Sequence, residues 1–136
     1  MKRLIVVLAM VVGVFVALPA EPASAALPPC NGATNFSTRW GYPTTSGIPT
    51  RYQGNGDTSC TMTVGAVNFG VYFLQRALLY CYGQNISTDA KFGWATKNAL
   101  INAQRIHGIV YDGVYGPQTR MNIYWWTPAG CNKFYG

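Results

Sequence analysis

Acidic side chains are scarce in this 136-residue chain, which has four of them against ten lysines and arginines. The only glutamate is Glu21, so the other carboxylate side chains are those of three aspartates. Histidine occurs once, as His107. Glycoside hydrolysis needs a pair of carboxyl groups, and a zinc site needs several His, Cys or acidic ligands at characteristic spacings. The composition therefore argues against both kinds of site, and no cofactor is expected.

A single long apolar run occupies residues 4–18, and its surroundings are those of an export signal. A positively charged start precedes the run, and the small residues Ala23-Ser24-Ala25 follow it, which predicts cleavage before Ala26. A membrane anchor is the rival interpretation, but a spanning helix needs about 20 apolar residues. The expected signal peptide is residues 1–25. We expect a secreted, extracellular or wall-associated protein with no membrane partner after cleavage.

The remaining chain is basic, because loss of Lys2, Arg3 and Glu21 lowers the net charge from +6 to about +5. Such a charge suits an anionic cell envelope or a nucleic acid. The basic residues are scattered rather than gathered into one stripe, which argues against nucleic acid. The size is that of one small domain, expected to be monomeric.

Four cysteines, Cys30, Cys60, Cys81 and Cys131, predict two disulfides in an exported chain. Three pairings are possible. Cys60 and Cys81 flank a predicted helix of ~15 residues, about 22 Å long, whereas bridged Cα atoms lie within about 7 Å. The pairing Cys30–Cys60 with Cys81–Cys131 is therefore preferred, and the other pairings stay open.

Residues 26–62 and 63–136 differ in composition and in the spacing of their apolar residues. The first segment is rich in Pro, Gly, Ser and Thr, which predicts an irregular extension, with short strands around residues 48–52 as one possibility. In the second, apolar spacing predicts helices at residues 66–80 and 94–107. A third helix is predicted to begin at Pro117 and to continue through Trp125. The expected fold class is all-α, a three-helix bundle with a disulfide-tied N-terminal extension.

An internal repeat is the most informative pattern in the chain. Residues 89–96 (DAKFGWAT) recur as residues 112–119 (DGVYGPQT), and Gln75-Arg76 recurs as Gln104-Arg105. The aspartate can accept hydrogen bonds from its own turn, the aromatic residue can anchor the turn, and the threonine can cap the next helix. Two half-repeats that share a helix would make the predicted bundle.

These residues resemble a known family, the small peptidoglycan-binding domain that accompanies bacterial cell-wall hydrolases. The resemblance covers residues 67–126 and rests on residues 71–78 (VYFLQRAL), 89–96 and 108–119 (GIVYDGVYGPQT). It implies a three-helix fold and peptidoglycan as the partner. Ala90, Ala103 and Asn122 depart from the family pattern, in which Gly, an aromatic residue and Ala are usual.

Six residues are predicted to line a ligand groove beside the two turns: Gln75, Trp94, Gln104, Arg105, Tyr111 and Arg120. The aromatic rings offer stacking surfaces, and the amide and guanidinium groups offer hydrogen-bond donors. Asp89 and Asp112 could instead be a catalytic pair, but their equivalent positions in the repeat favour a role in the turns.

The sequence is compatible with three functions. The preferred one is a secreted, non-catalytic module that binds peptidoglycan. A small cell-wall hydrolase would have to use residues 26–62, where Asp57 is the only acid. An interaction or inhibitor protein would bind another protein through that same extension, with residues 39–42 (RWGY) in the contact surface.

Overall fold

A computed structural model describes residues 26–37 and 43–135 of the chain, with the backbone alone at positions 37 and 43–46. The predicted signal peptide and the RWGY segment lie outside these residues. The elements in chain order are β1 (Gly32–Ser37), β2 (Pro43–Thr50), α1 (Phe69–Tyr82), α2 (Trp94–Ile106), α3 (Pro117–Asn122), β3 (Tyr124–Thr127) and β4 (Gly130–Lys133). Within the described ranges, no helix is long and apolar enough to cross a membrane.

The predicted all-α class is wrong, because the fold is mixed α/β. Within the described residues, three helices are accompanied by two antiparallel sheets of two strands each. Strand β1 pairs with β2 from Gly32↔Thr50 to Ser37↔Pro43, with an irregularity between Asn35 and Ser37. Strand β3 pairs with β4 from Tyr124↔Lys133 to Thr127↔Gly130.

The third helix is shorter than predicted, and this difference creates the second sheet. Helix α3 ends at Asn122, and Ile123 is already extended, with φ −78° and ψ 160°. The next residues are aromatic or β-branched, which favours a strand. Trp126 pairs with Cys131, which is bonded to Cys81 on α1. This covalent tie holds the hairpin against α1, and Trp125, which was expected on the third helix, is buried from strand β3 instead.

The N-terminal segment was predicted to be irregular, but it forms the β1–β2 hairpin, which packs on α1. Ile48 of β2 and Leu74 of α1 are both fully buried in one core cluster. At Gly47 the strand touches a ring: a Cβ there would lie 2.4 Å from the Phe73 side chain. A glycine is needed at this close approach. The extension thus contributes to the same core as the helices.

Both disulfides belong to the pairing that the sequence favoured. Cys30–Cys60 ties the N-terminal segment to the chain just before Met62, and Cys81–Cys131 ties the end of α1 to β4. Helix α1 begins after Asn68, whose side chain accepts from the Val71 N–H, and ends at Gly83 in the left-handed region. These ends place Gln75 in the middle of α1, facing the first turn.

Candidate functional site

A buried glutamine supports the first of the two repeated turns. Gln75 is 1% exposed. Its Oε1 accepts from the Ala90 N–H at 2.9 Å, and its Nε2 donates to the Lys91 carbonyl at 2.9 Å and to the Thr96 hydroxyl at 3.0 Å. Nε2 also lies 3.1 Å from Asp89 Oδ1. One amide thus joins α1, the turn and the first part of α2.

The second turn has the same arrangement around Gln104, which is also 1% exposed. Its Oε1 accepts from the Gly113 N–H at 3.0 Å, and its Nε2 donates to the Val114 carbonyl and the Thr119 hydroxyl, both at 2.9 Å. Gln75 and Gln104 were both predicted to line a groove. Their burial and their hydrogen bonds place both under the turns, where they hold backbone groups that would otherwise be unpaired. Gln104 also lines a cavity beside the second turn, whereas Gln75 lines none of the cavities described below.

The two aspartates act within their own turns. Asp89 Oδ1 accepts from the Lys91 N–H at 3.0 Å, and Asp112 Oδ1 accepts from the Val114 N–H at 2.9 Å. The Lys91 N–H, followed by the Gln75 amide, lowers the pKa of Asp89. Asp89 is therefore ionised at neutral pH and unsuited to donate a proton as a general acid.

A row of exposed and half-buried side chains follows one face of α2. Trp94, Lys97, Ile101 and Arg105 recur at steps of three, four and four, which places them on one side of the helix. We call these residues the α2 stripe; it is about 16 Å long at 1.5 Å per residue. Trp94 is 67% exposed, and Lys97 Nζ lies 5.1 Å from the centre of its ring.

The connection after α2 folds back along this stripe. At Gly113, a Cβ would lie 2.6 Å from Lys97 Cγ and 3.0 Å from Ile101 Cγ1. Glycine therefore allows the second turn to lie directly on the α2 stripe. Tyr111, in the same connection, is 57% exposed, and Arg105 Cζ lies 5.0 Å from the centre of its ring. Of the six predicted residues, Trp94, Arg105 and Tyr111 thus share one accessible surface.

A cavity of about 340 Å³ borders this connection. We call it the second-turn cavity. Its lining includes Gln104, together with Leu27 and Thr61 of the N-terminal segment. Its other lining residues are Val110, Asp112, Val114 and Gly116 to Thr119. The N-terminal segment therefore completes a cavity that the helices and turns leave open.

The match to a family model decides the identity of this unit. Residues 70–121 match the family described as "Putative peptidoglycan binding domain". Those residues run from the start of α1 into α3 and contain both glutamine-supported turns. Residues 70–121 belong to the peptidoglycan-binding domain family.

Two solved structures resemble the chain. A Burkholderia AP3 phage endolysin is 39% identical over 43% of this chain and 22% of its own, with a TM-score of 0.41. The SleB N-terminal domain is 34% identical over 46% of this chain and 85% of its own, with a TM-score of 0.44. The chain thus spans less than a quarter of the endolysin. No curated protein sequence matches the chain.

Arg120, the remaining predicted groove residue, ties the peptidoglycan-binding domain to the N-terminal segment. Its Nη1 donates to the Thr58 carbonyl at 2.7 Å and to the Thr58 hydroxyl at 2.6 Å. Its guanidinium also lies 5.5 Å from the centre of the Phe134 ring. These contacts join Arg120 to residues outside the α2 stripe and give it a structural role.

The single histidine lies beside two tyrosines at the end of α2. His107 Nε2 is 2.6 Å from the Tyr82 hydroxyl, which also accepts from the Tyr124 N–H at 2.7 Å. Burial, followed by the charge of Lys133, lowers the pKa of His107. Burial raises the pKa of Tyr82 to about 12, so the neutral tyrosine donates to a neutral imidazole. Among the residues described, no group of His, Cys and acidic side chains could hold a metal ion.

Sequence reasoning missed Lys97 and the lining contributed by Leu27 and Thr61. Lys97 could have been found, since its spacing from Trp94 and Arg105 places it on the same helical face. Leu27 and Thr61 carried no such signal, because their position depends on contacts between distant parts of the chain. The parallel bridge between Pro29 and Thr61 and the bridge between Met62 and Tyr115 bring this segment to the second turn.

Proposed function

We propose that the protein is an exported, non-catalytic module that binds peptidoglycan with the α2 stripe, Tyr111 and the adjoining second-turn cavity. The observation that carries the proposal is the pair of cation–aromatic contacts, Lys97 on Trp94 and Arg105 on Tyr111, beside a turn of the peptidoglycan-binding domain. No cofactor is needed for this function.

The chemistry of this surface suits a glycan that carries peptides. Exposed aromatic rings such as Trp94 and Tyr111 can stack on the apolar faces of sugar rings. The charged ends of Lys97 and Arg105 can donate to the carboxylate and amide oxygens of the peptides. Each cation rests near a ring before ligand binds, which reduces the conformational entropy lost on binding.

A binding role without bond cleavage agrees with the use of the acidic residues. Hydrolysis of a glycosidic bond needs one carboxyl group as acid and another as base or nucleophile. Asp89 and Asp112 each accept from the backbone of their own turn, and Asp89 also contacts Gln75. These hydrogen bonds give both residues a structural function in the peptidoglycan-binding domain.

Export is proposed on two grounds. Residues 1–25 have the composition of a cleavable signal peptide, and two disulfides link four cysteines. Disulfides of this kind persist in oxidising compartments outside the cytoplasm. The positive charge would favour residence at an anionic cell surface.

The test is sedimentation of the oxidised protein with purified sacculi stripped of anionic polymers, at low and high salt. We expect binding under both conditions and no release of sugar reducing ends. Trp94→Ala and Arg105→Ala should each weaken binding about fivefold to tenfold, the effect of about 1–1.4 kcal/mol. Binding that disappears in high salt would contradict recognition of peptidoglycan and indicate attraction by charge alone.

Arg51→Ala is the matched control for Arg105→Ala. Arg51 Cζ lies 5.2 Å from the centre of the Tyr52 ring, so this variant removes a similar cation–aromatic pair and the same charge from the N-terminal segment. We expect sedimentation of Arg51→Ala to equal that of the wild type. An equal loss in both variants would refute the assignment of the α2 stripe.

A second cavity favours a second candidate function, binding of another protein through the N-terminal segment. This cavity, of about 370 Å³, lies between β1 and α1 and combines the rings of Phe69 and Phe73 with the amides of Asn35 and Gln53. Phe69 is exposed. If Phe69→Ser abolished retention of the protein in wall fractions while Trp94→Ala preserved it, the second candidate would replace the first.

A further inference from the structure

An arginine on α1 is surrounded by aromatic rings on a surface that the α2 stripe does not include. Arg76 Cζ lies 4.0 Å from the centre of the Trp126 ring, 5.5 Å from that of Tyr72 and 6.0 Å from that of Tyr80. Tyr72 and Tyr80 stand one helical turn before and after Arg76, and Trp126 comes from β3. We call these four residues the Arg76 cluster.

The guanidinium of Arg76 is held in place while its N–H groups remain free. Among residues 26–37 and 43–135, its guanidinium lies near those three rings and makes no hydrogen bond or ion pair. Arg120, by contrast, uses its Nη1 on Thr58. A planar guanidinium stacked on a ring keeps its edge available for a bidentate contact with a carboxylate. Arg76 therefore presents a positioned anion receptor.

The rings beside Arg76 offer a second kind of contact. Tyr80 is 56% exposed, and its ring centre lies 5.2 Å from that of Trp126 at an angle of 39°. Tyr80 is the most exposed ring of the cluster, since Tyr72 and Trp126 are half-buried, so its ring offers the most accessible surface for a ligand. An aromatic face next to a cationic edge matches a molecule with an apolar face and an acidic group at its rim.

We propose that the Arg76 cluster binds an acidic saccharide, with a sugar ring stacked on Tyr80 and its carboxylate paired with Arg76. A pyranose that bears a carboxylate has both features within one ring. A neutral sugar would leave the guanidinium unpaired, and an anion without a ring would leave Tyr80 unused. This inference does not rest on peptidoglycan binding by the α2 stripe.

A disulfide fixes the frame of the proposed site. Tyr80 immediately precedes Cys81, and Trp126 is the pairing partner of Cys131 in the β3–β4 hairpin. The Cys81–Cys131 bond therefore holds the α1 ring and the β3 ring at a set separation. A site held in its binding geometry before ligand arrives loses less conformational entropy when it binds.

The test is calorimetric titration of the oxidised protein with three probes: oligogalacturonate, chito-oligosaccharide and inorganic polyphosphate. We expect oligogalacturonate to bind most tightly. Arg76→Lys, which keeps the charge but removes the planar guanidinium, should weaken its binding about tenfold, since charge-assisted bidentate pairs are stronger than single contacts. Tyr80→Leu should weaken oligogalacturonate binding as well, because it removes the ring on which the sugar stacks. Tyr80 is exposed, so this substitution leaves the core unchanged.

Arg51→Lys is the control, since Arg51 also lies over a tyrosine ring but has one ring rather than three. It should leave oligogalacturonate binding unchanged. Equal binding of polyphosphate and oligogalacturonate would overturn the proposal in favour of diffuse charge. An equal loss in Arg51→Lys would overturn it as well, because the effect would then not be specific to the Arg76 cluster. The proposal would also be overturned if chito-oligosaccharide bound as tightly as oligogalacturonate and kept that affinity in Arg76→Lys. Sedimentation of Arg76→Lys with stripped sacculi should match the wild type, which separates this site from the α2 stripe.

Discussion

Gln75 donates from Nε2 to the Thr96 hydroxyl across 3.0 Å, in a contact that is buried between α1 and the start of α2. The same side chain also holds the backbone of the first turn, through the Ala90 N–H and the Lys91 carbonyl. Its amide is therefore the point at which two helices and a turn meet. Phe92 anchors the turn in the core, and the Gln75 amide satisfies its buried backbone groups.

Replacement of either buried glutamine by leucine should destabilise the fold. Gln75→Leu and Gln104→Leu each leave backbone and hydroxyl groups without partners in the core, which costs about 2–4 kcal/mol in the free energy of unfolding. Denaturant unfolding measured by circular dichroism checks this. The exposed Gln118 supplies the control, since Gln118→Leu should change the free energy by less than about 0.5 kcal/mol. Equal effects at buried and exposed positions would show that the turns do not depend on these amides.

The two turns should respond in opposite directions to an exchange of alanine and glycine. Ala90 has φ +63°, and Gly113 has φ +71° at the equivalent position. Ala90→Gly relieves left-handed strain and should raise the free energy of unfolding by up to about 1 kcal/mol. Gly113→Ala adds that strain and a Cβ 2.6 Å from Lys97 Cγ, and should lower it by about 1–3 kcal/mol.

Ala95→Gly is the control for these turn variants. Ala95 is exposed on α2, and glycine in a helix costs about 0.5–1 kcal/mol relative to alanine. Thermal melts of the three variants should thus shift upward for Ala90→Gly and downward for the other two. A downward shift for Ala90→Gly would mean that the alanine methyl group contributes packing that outweighs its backbone strain.

The first two helices were predictable because each has local signals at its ends. The first was predicted at residues 66–80 and is Phe69–Tyr82, and the second was predicted at residues 94–107 and is Trp94–Ile106. Gly83 and Gly108 follow these helices with positive φ, as glycine stop signals predict. Apolar spacing and glycine are read over a few residues, so these elements did not require knowledge of the tertiary fold.

The strands were not predictable in the same way, because they depend on distant partners. Six of the eight residues of strand β2 are proline, glycine or threonine, and the strand lies against α1, where Gly47 makes room for Phe73. Strand β3 depends on its pairing with β4 and on the bond between Cys81 and Cys131. For the site, the repeat revealed the two turns, but burial decided which residues are accessible: Trp94 and Tyr111 are exposed, while Gln75 is not.

The two disulfides should open in a fixed order under mild reduction. Cys30 and Cys60 are buried, whereas Cys131 is exposed and Cys81 is partly so. Thiolate attack needs access to a sulfur, so Cys81–Cys131 should be reduced first. Alkylation followed by mass spectrometry measures the order. If Cys30–Cys60 opened first, local unfolding of the N-terminal segment rather than static accessibility would control the reaction.

Complete reduction should lower the melting temperature by many degrees, because each bond closes a long loop. The separations are 30 residues for Cys30–Cys60 and 50 for Cys81–Cys131. Restriction of the unfolded chain contributes about 2–4 kcal/mol for each such bond. Cys81→Ser with Cys131→Ser removes one bond alone and should lower the melting temperature by less than full reduction does. A melt unaffected by reductant would contradict a stabilising role for both bonds.

The environment of His107 should make stability depend on mildly acidic pH. The ring faces the Tyr82 hydroxyl at 2.6 Å and the Tyr124 ring at 5.6 Å, and the positive charge of Lys133 adds to the effect of burial. These causes lower the pKa of His107 below its usual 6.5 in the folded state. The unfolded chain therefore binds a proton more readily than the folded protein does.

It follows that this contribution to stability is fully present above pH 6.5 and is lost as the pH falls through the lower pKa of folded His107. We expect the free energy of unfolding, measured with urea, to decrease between pH 7.5 and pH 5 in the wild type. His107→Gln should flatten that decrease, because glutamine does not titrate. Asp89, whose pKa is lowered from 3.8, affects only a more acidic range and so does not confuse the comparison. An unchanged slope in His107→Gln would assign the pH dependence to other groups.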